Sequence, residues 1–417
     1  MVDYKNSGIE WIKNIPSHWD IKPNKYIMYK KKIIKPIYDN EDILSLTVNG
    51  VIKRDLDAGG KMPTSFNGYQ KIEKNNLLMC LFDIDVTPRC IGYINDNGLT
   101  SPAYSQFVVK DDYYPKYFYY QYLMLDNDKT LLHLSKNLRH SLTEEQLGNV
   151  PMIVPPLEEQ KVISRILDEK IKNIDEAVKD LEKEIELINE YKKIFITEIV
   201  SKGIEKKDLI NSGIKYIPLV PKHWIIDKFK YHLKRKNVKN HPESEVLSLY
   251  REYGILPKNS RDDNYNVTSE DTSKYLFVKR NQFVVNKMKA WQGSVAVSNY
   301  EGIVSPAYYV YSFTDDLFDK KYFHYLLRSK CYPSEFRRLS GGIREGQWDL
   351  SENALNNIYI LIPPKDEQKE IVAYLDNKIQ EIEEIVVEKE KQISKLNDYK
   401  KSIIFEYITG KKVVNNV

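Results

Sequence analysis

Leu167, Ile171, Ile174, Val178, Leu181, Ile185 and Ile188 recur at alternating spacings of four and three, and the run continues through Lys192, Phe195 and Ile199. That period is the apolar seam of a coiled coil. The seam returns later in the chain as Leu375, Ile379, Ile382, Val386, Lys389, Ile393, Leu396, Lys400, Ile403 and Tyr407. Pro155–Pro156 and Pro363–Pro364 precede the two runs, and Glu158, Glu159, Asp366 and Glu367 fall where carboxylates favour the first turn, so each helix is predicted to begin near its Pro-Pro pair. About 44 residues rising roughly 1.5 Å each make a rod near 65 Å. A rod of that length needs a partner for its seam, and the other copy is the obvious one, antiparallel if a twofold relates them. The alternatives are packing on its own domain and pairing between chains.

The repeat extends beyond the helices. "NSGIEWIKNIPSHW" at Asn6–Trp19 returns as "NSGIKYIPLVPKHW" at Asn211–Trp224, "GLTSPAY" at Gly98 as "GIVSPAY" at Gly302, and "DDYYPKYFYYQYL" at Asp111 as "DDLFDKKYFHYLL" at Asp315. By contrast, 30–97 and 235–301 share little that aligns, so each repeat is a common frame around a private insert. The central join resembles the C-terminal end placed before the start, with Asp3, Asn6 and Ser7 matching Asp208, Asn211 and Ser212. That closure predicts two equal units in a cyclic, pseudo-twofold arrangement. Between the frame segments, "DILSLTV", "LLMCLFDI", "SQFVVK", "EVLSLY", "QFVVNKM", "SVAVSN" and "AYYVYSF" are expected as short strands, and "PKYFYYQYLM" and "KKYFHYLLRS" as helices. These portions are α/β or α+β.

With 417 residues, 42% of them hydrophobic, the chain can build two or more domains with real cores. No apolar run approaches the roughly 20 residues needed to span a bilayer, and "MVDYKNSGIEW" has no apolar signal stretch, so a cytoplasmic protein is expected. Three cysteines without CxxC spacing and seven scattered histidines point to neither a disulfide framework nor a metal site. The net charge is only +4, but 157–198 holds eight basic against twelve acidic residues and 365–412 ten against eleven, which leaves +9 on the tyrosine-rich remainder. That balance suits a polyanionic partner, as it also suits a Lys-rich genome.

Taken in order, "GIEWIKNIPSHW", a strand-rich insert, "SPAY", an Arg-bearing loop ("NLRHSL", "GGIREG") and "PPLEEQKVISRILDEKI", all repeated once, resemble the DNA-specificity subunit of type I restriction-modification systems over nearly the whole chain. The resemblance implies an α+β fold with two pseudo-twofold-related target-recognition domains, each mixed α/β and followed by a long helix, the helices packed as an antiparallel coiled coil. That assigns 1–154 and 205–362 to the recognition domains, 155–204 and 363–412 to the helices, and 413–417 to a tail. It further implies a non-catalytic chain that reads an asymmetric bipartite site on double-stranded DNA. The paired helices would set the gap and dock two methyltransferase subunits, with restriction subunits if present.

S-adenosylmethionine, ATP and Mg²⁺ would then serve the partner subunits, for adenine-N6 methylation and ATP-dependent cleavage, and no cofactor or metal is expected in this chain. In keeping with that division, there is no GxxxxGK[ST] phosphate loop, and both Pro-Pro pairs follow Val or Ile rather than the Asp or Asn of an amino-methylation motif. Asp83 and Asp85 have no acid-x-Lys partner, and the second repeat lacks the pair. The competing classes are a coiled-coil structural adaptor that binds protein partners, and an independent methyltransferase or nuclease.

Reading base edges in the major groove takes Arg or Lys for guanine, Asn or Gln for adenine and apolar contact for the thymine methyl, whereas Lys on phosphates adds affinity without information. Candidates in the first insert are Lys53, Arg54, Lys61, Asn67, Tyr69, Gln70 and Arg89. In the second they are Arg251, Lys258, Arg261, Asn264, Tyr265, Lys287, Lys289, Trp291 and Gln292. "VVNKMKAWQGSVAV" gathers basic, amide and aromatic groups between two expected strands. Loops carrying Arg139 and His140, and Arg344 and Gln347, precede the two helices and offer either a phosphate approach or a plain connection.

Overall fold

The computed structural model describes residues 3–57, 63–135, 140–261, 268–269, 271–342 and 348–412. The chain forms two compact units, Met1–Leu181 with Glu390–Val417, and Glu182–Lys389. The division falls inside both long helices, Leu157–Lys202 and Lys365–Ile408, so each unit owns a segment of each. Among the described residues no helix is long and apolar enough to cross a membrane.

At the centre of the first unit lies an antiparallel sheet in the order Ile91–Tyr93, Leu77–Met79, Ser105–Val109, Met28–Lys31. Helix Pro115–Asn127 begins with a proline, whose fixed φ and missing N–H suit that position, and buries Tyr117, Phe118 and Tyr122 in the core. The second unit repeats the order as Val295–Val297, Phe283–Asn286, Tyr308–Phe313, Leu233–Lys236. Its corresponding helix, Lys320–Arg328, is capped by the Asp319 carboxylate, which accepts from the backbone of Lys321 and Tyr322.

The two inserts, dissimilar in sequence, share a topology. Hairpins Leu44–Thr47/Gly50–Lys53 and Leu247–Tyr250/Gly254–Pro257 are matched, and parallel bridges Ile43–Leu99 and Val246–Ile303 join each insert to the strand ahead of "SPAY". Those bridges explain the recurring glycine. A Cβ on Gly98 would lie 2.6 Å from the Asp42 carbonyl oxygen, and one on Gly302 would lie 2.3 Å from that of Glu245. "SPAY" itself is a turn, with Tyr104 N donating to Ser101 O (3.2 Å) and Tyr308 N to Ser305 O (3.0 Å), and with proline presetting the second position.

The start of each long helix is built alike. The Gln160 amide donates to the Pro155 carbonyl (2.7 Å) and accepts from the Tyr114 backbone (2.9 Å), while Gln368 does the same with Pro363 (2.8 Å) and Asp319 (2.7 Å). Glu159 accepts from the Trp19 indole and meets the His18 ring at 2.8 Å, and Glu367 treats Trp224 and His223 likewise. The repeated "HW" and "EQ" are therefore two halves of one joint.

Helix pairing is present within each unit. In the first, Ile163, Leu167 and Ile174 share a core with Ile403, Ile404, Tyr407 and Ile408, and Lys400 Nζ lies 2.6 Å from Asp175 Oδ1. In the second, Ile199 and Val200 share a core with Ile371 and Leu375. There Lys389 pairs with Glu184 and Lys192 with Glu383, so residue numbers fall on one helix as they rise on the other, and the pairing is antiparallel. Of the other expected seam positions, Ile382 is buried, and Ile171, Val178, Leu181, Ile185, Ile188, Ile379, Val386, Ile393 and Leu396 are half-buried.

The end of the second helix completes the first unit as the end of the first completes the second. Tyr117 Oη donates to the Ile408 carbonyl and Tyr322 Oη to that of Val200, both at 3.1 Å. Each helix stops at a left-handed glycine, Gly203 (φ 74°) and Gly410 (φ 69°).

Candidate nucleic-acid interface

In the second unit the stretch between Phe283–Asn286 and Val295–Val297 folds into a short helical turn, Ala290–Gln292, closed by left-handed Gly293. Asn286 Oδ1 accepts from Met288 N (3.2 Å), and the Trp291 indole donates to the Met288 carbonyl (3.2 Å) and meets Trp348 edge-on. Lys287 pairs with Asp349 at 3.4 Å, while Lys289 is exposed with no side-chain partner among the described residues. At the tip of the adjacent hairpin, Arg251 is exposed beside Glu252, and the Arg261 guanidinium stacks 4.2 Å from the Tyr253 ring centre. Lys258 is hydrogen-bonded to the Thr268 hydroxyl.

Arg251 and Gln292 line one cavity together with Lys192, Lys193, Arg328 and Lys330. The last four are not among the candidates, which lie in the inserts and in the loops ahead of the long helices, whereas Lys192 and Lys193 sit on the first long helix and Arg328 and Lys330 at and just beyond the end of Lys320–Arg328. A signal was present in the seam, where Lys192 and its counterpart Lys400 stand among apolar side chains.

The first unit offers less. Lys53 pairs with Asp42 at 2.6 Å, and with Arg54 it lines a shallow hollow that also holds Asp42, Asp55 and Asp57. Asn67 accepts from the Tyr38 backbone, and Tyr69 ends an aromatic chain through Phe66 to Tyr38. His140, at φ 45°, sits 4.0 Å from Asp85.

Two candidates leave the surface set. Gln70 is fully buried, its amide nitrogen donating to the carbonyls of Ser101 and Tyr104, so it holds the "SPAY" turn rather than reaching a base. Arg89 is bound to buried Asp126 (3.1 Å) and to Asn127 (3.0 Å), neutralising an interior carboxylate. Polar residues beside strands look alike in sequence whether they point outward or inward. Lys61, Arg139, Asn264, Tyr265, Arg344 and Gln347 lie outside the described residues.

Residues 61–187 and 229–395 each match the type I restriction modification DNA specificity domain. The chain belongs to this family. Both matches end inside the long helices, at 187 and 395, which are equivalent positions of the repeat; the first begins within the first insert and the second takes in all of the second insert. The type I restriction enzyme MjaVIII specificity subunit of Methanocaldococcus jannaschii is 26% identical over 289 residues, which cover 64% of each chain. The putative type I restriction enzyme MjaX specificity subunit of the same organism is 25% identical over 65% of this chain. The matched stretches thus span 64% and 61% of the length of these curated relatives. A chain solved in work on complex assembly and conformational transition of the type I R-M system shares 13% identity, covers 95% of this chain and 99% of itself, and superposes with a TM-score of 0.61. That likeness establishes the fold, α+β with long helices, in which the family match places two DNA specificity domains.

Proposed function

We propose that this chain reads DNA for a type I restriction-modification complex, each unit recognising one half of an asymmetric, bipartite duplex site. The observation that carries this reading is two units whose central four-stranded sheets share one strand order and whose hairpins and loops differ in chemistry, Thr47–Asn49 in one standing against Tyr250–Tyr253 with Arg251 in the other. One scaffold with two sets of side chains suits two different half-sites. The surface candidates are Lys53, Arg54, Asn67, Tyr69 and His140 in the first unit, and Arg251, Lys258, Arg261, Lys287, Lys289, Trp291 and Gln292 in the second.

On this reading the helices set the unspecific gap and dock two methyltransferase subunits, with restriction subunits joining where present. Methyl transfer to adenine N6 and ATP-dependent cleavage, with S-adenosylmethionine, ATP and Mg²⁺, belong to those partners in the cytoplasm, and this chain is non-catalytic.

Co-expression with a methyltransferase subunit in a host lacking adenine methylation, followed by genome-wide mapping of N6-methyladenine, tests this. A split asymmetric motif that vanishes when this chain is omitted supports it. Methylation that ignores the chain overturns it in favour of a coiled-coil adaptor.

A further inference from the structure

The second unit contains a cavity of about 530 Å³ among the first long helix, the tip of the Leu247–Pro257 hairpin and helix Lys320–Arg328, a size within the range of small-molecule sites. Five cationic side chains line it against two carboxylates, Glu252 and Glu383. Arg328 is fixed in the wall, its guanidinium donating to the carbonyls of Val295 (2.9 Å), Arg251 (2.5 Å) and Glu252 (3.1 Å). Its hydrogen-bond partners are neutral carbonyls, and the Glu252 carboxylate, also in the lining, offsets part of its charge, leaving the rest to face the cavity.

Lys193 and Gln292 make no side-chain hydrogen bond or ion pair among the described residues, although the Glu190 carboxylate one turn earlier lies close enough to Lys193 to feel its charge. His324 Nδ1 accepts the Val297 backbone N–H at 3.3 Å, and burial pushes the ring's pKa down to about 3, so at neutral pH its single proton sits on Nε2 as a further donor.

The fold does not require this lining. Tyr117 and Tyr322 make the same bond to a helix end, and Tyr120 and Tyr325 the same bond to Asp168 and Asp376, which fixes the register between the two helices that carry them. On that register Tyr119 and Leu123 of the first unit stand where the second has His324 and Arg328. Placing a guanidinium where an apolar side chain serves equally well costs desolvation, which an anionic ligand offsets. Lys193 and the Gln292 amide supply point donors of the kind that bind phosphoryl oxygens. Gln292 also belongs to the loop that holds Lys289, the exposed candidate for reading DNA.

We propose that this cavity is a phosphoryl-binding site, occupied either by a backbone phosphate of DNA beside one half-site or by the phosphate of a free nucleotide. Only the DNA source rests on the function proposed above.

The test compares the full chain with a Lys193→Ala variant, a substitution on an exposed helix face outside the buried core, with thermal unfolding as the control for folding. ATP and inorganic tripolyphosphate are titrated by calorimetry, and duplex affinity is measured against salt. Polyphosphate binding that weakens at least tenfold in the variant identifies a free-nucleotide site. No polyphosphate binding, with a slope of log K against log salt that drops by about 1 and an unchanged preferred sequence, identifies a backbone-phosphate seat. The absence of both changes overturns the proposal, and sequence-specific binding by both proteins would then leave the proposed function standing. If the unsubstituted chain binds no duplex, the polyphosphate arm alone decides the cavity.

Discussion

The Trp19 indole nitrogen donates to Oε2 of Glu159 across 2.9 Å, tying the N-terminal hairpin to a helix turn 140 residues away. Trp19 is almost fully buried, so removing its acceptor leaves an interior donor unpaired. Glu159→Ala is expected to lower the unfolding free energy by about 1–3 kcal/mol, and Glu159→Gln, which keeps an oxygen in place, by less. Equilibrium denaturation followed by tryptophan fluorescence reads both. Equal stability of Glu159→Ala and the parent would show that the joint is ornamental.

Gly302 makes a sharper demand. Its missing Cβ leaves room for the Glu245 carbonyl, whereas Gly341 has nothing within 4 Å of where a Cβ would stand. Gly302→Ala should lose soluble folded protein, or more than about 2 kcal/mol of stability, while Gly341→Ala stays within about 0.5 kcal/mol. Similar behaviour of the two variants in a denaturant titration would refute the close-approach account of "GxxSPAY".

The helix seam separates burial from periodicity. Leu375 is fully buried, whereas Leu187, on the first helix, is 59% exposed. Leu375→Ala should cost about 2–5 kcal/mol and Leu187→Ala less than about 0.5 kcal/mol, as read by urea midpoints. The ion pair of Lys400 with Asp175 is largely exposed and should contribute under about 1 kcal/mol in a double-mutant cycle.

The helices and the repeat were legible in sequence because their signals are a local period and identical residues, such as Trp19, Glu159 and Gln160 with their counterparts Trp224, Glu367 and Gln368, whereas the joint that those residues form shows only once the segments meet. The shared topology of the inserts was not. It depends on backbone bridges such as Ile43–Leu99 and Val246–Ile303, which any β-compatible side chains can make. The candidate interface was legible only in kind. Arg89 and Gln70 have the right chemistry for reading bases but are turned inward, while Lys193 and Arg328 face a cavity that exists only once distant segments meet.

His324 sets a pH dependence. Its folded pKa, pushed down to about 3 by burial with Arg328 adding to the shift, lies below the ordinary value of 6.5. As pH falls through 6.5 the unfolded chain takes up a proton that the folded chain refuses, so stability present above 6.5 is progressively lost down to about pH 3. At pH 5 the loss is about 2 kcal/mol. His324→Asn, which does not titrate, should flatten the stability profile between pH 6.5 and 4 relative to the parent. Parallel profiles would show that the fold does not lower the His324 pKa.

Recognition should transfer by insert, and the structure fixes where the cuts must fall. The pairing of Gly98 against Asp42, and the 2.8 Å bond from Thr100 Oγ1 to the Leu44 carbonyl, bind 98–104 to the insert rather than to the frame. Strands Met28–Lys31 and Ser105–Val109 pair with each other at the border. Exchanging 28–109 for the equivalent stretch of a family member with another specificity should therefore give an active chain. One half of its methylation motif should change, with the other half and the gap retained. Exchanging only 30–97 parts Gly98 and Thr100 from the partners they evolved against and should yield less folded protein. Methylation mapping of the two chimaeras decides between these outcomes. A change in both half-sites, or in the gap, would mean that the units do not read DNA independently.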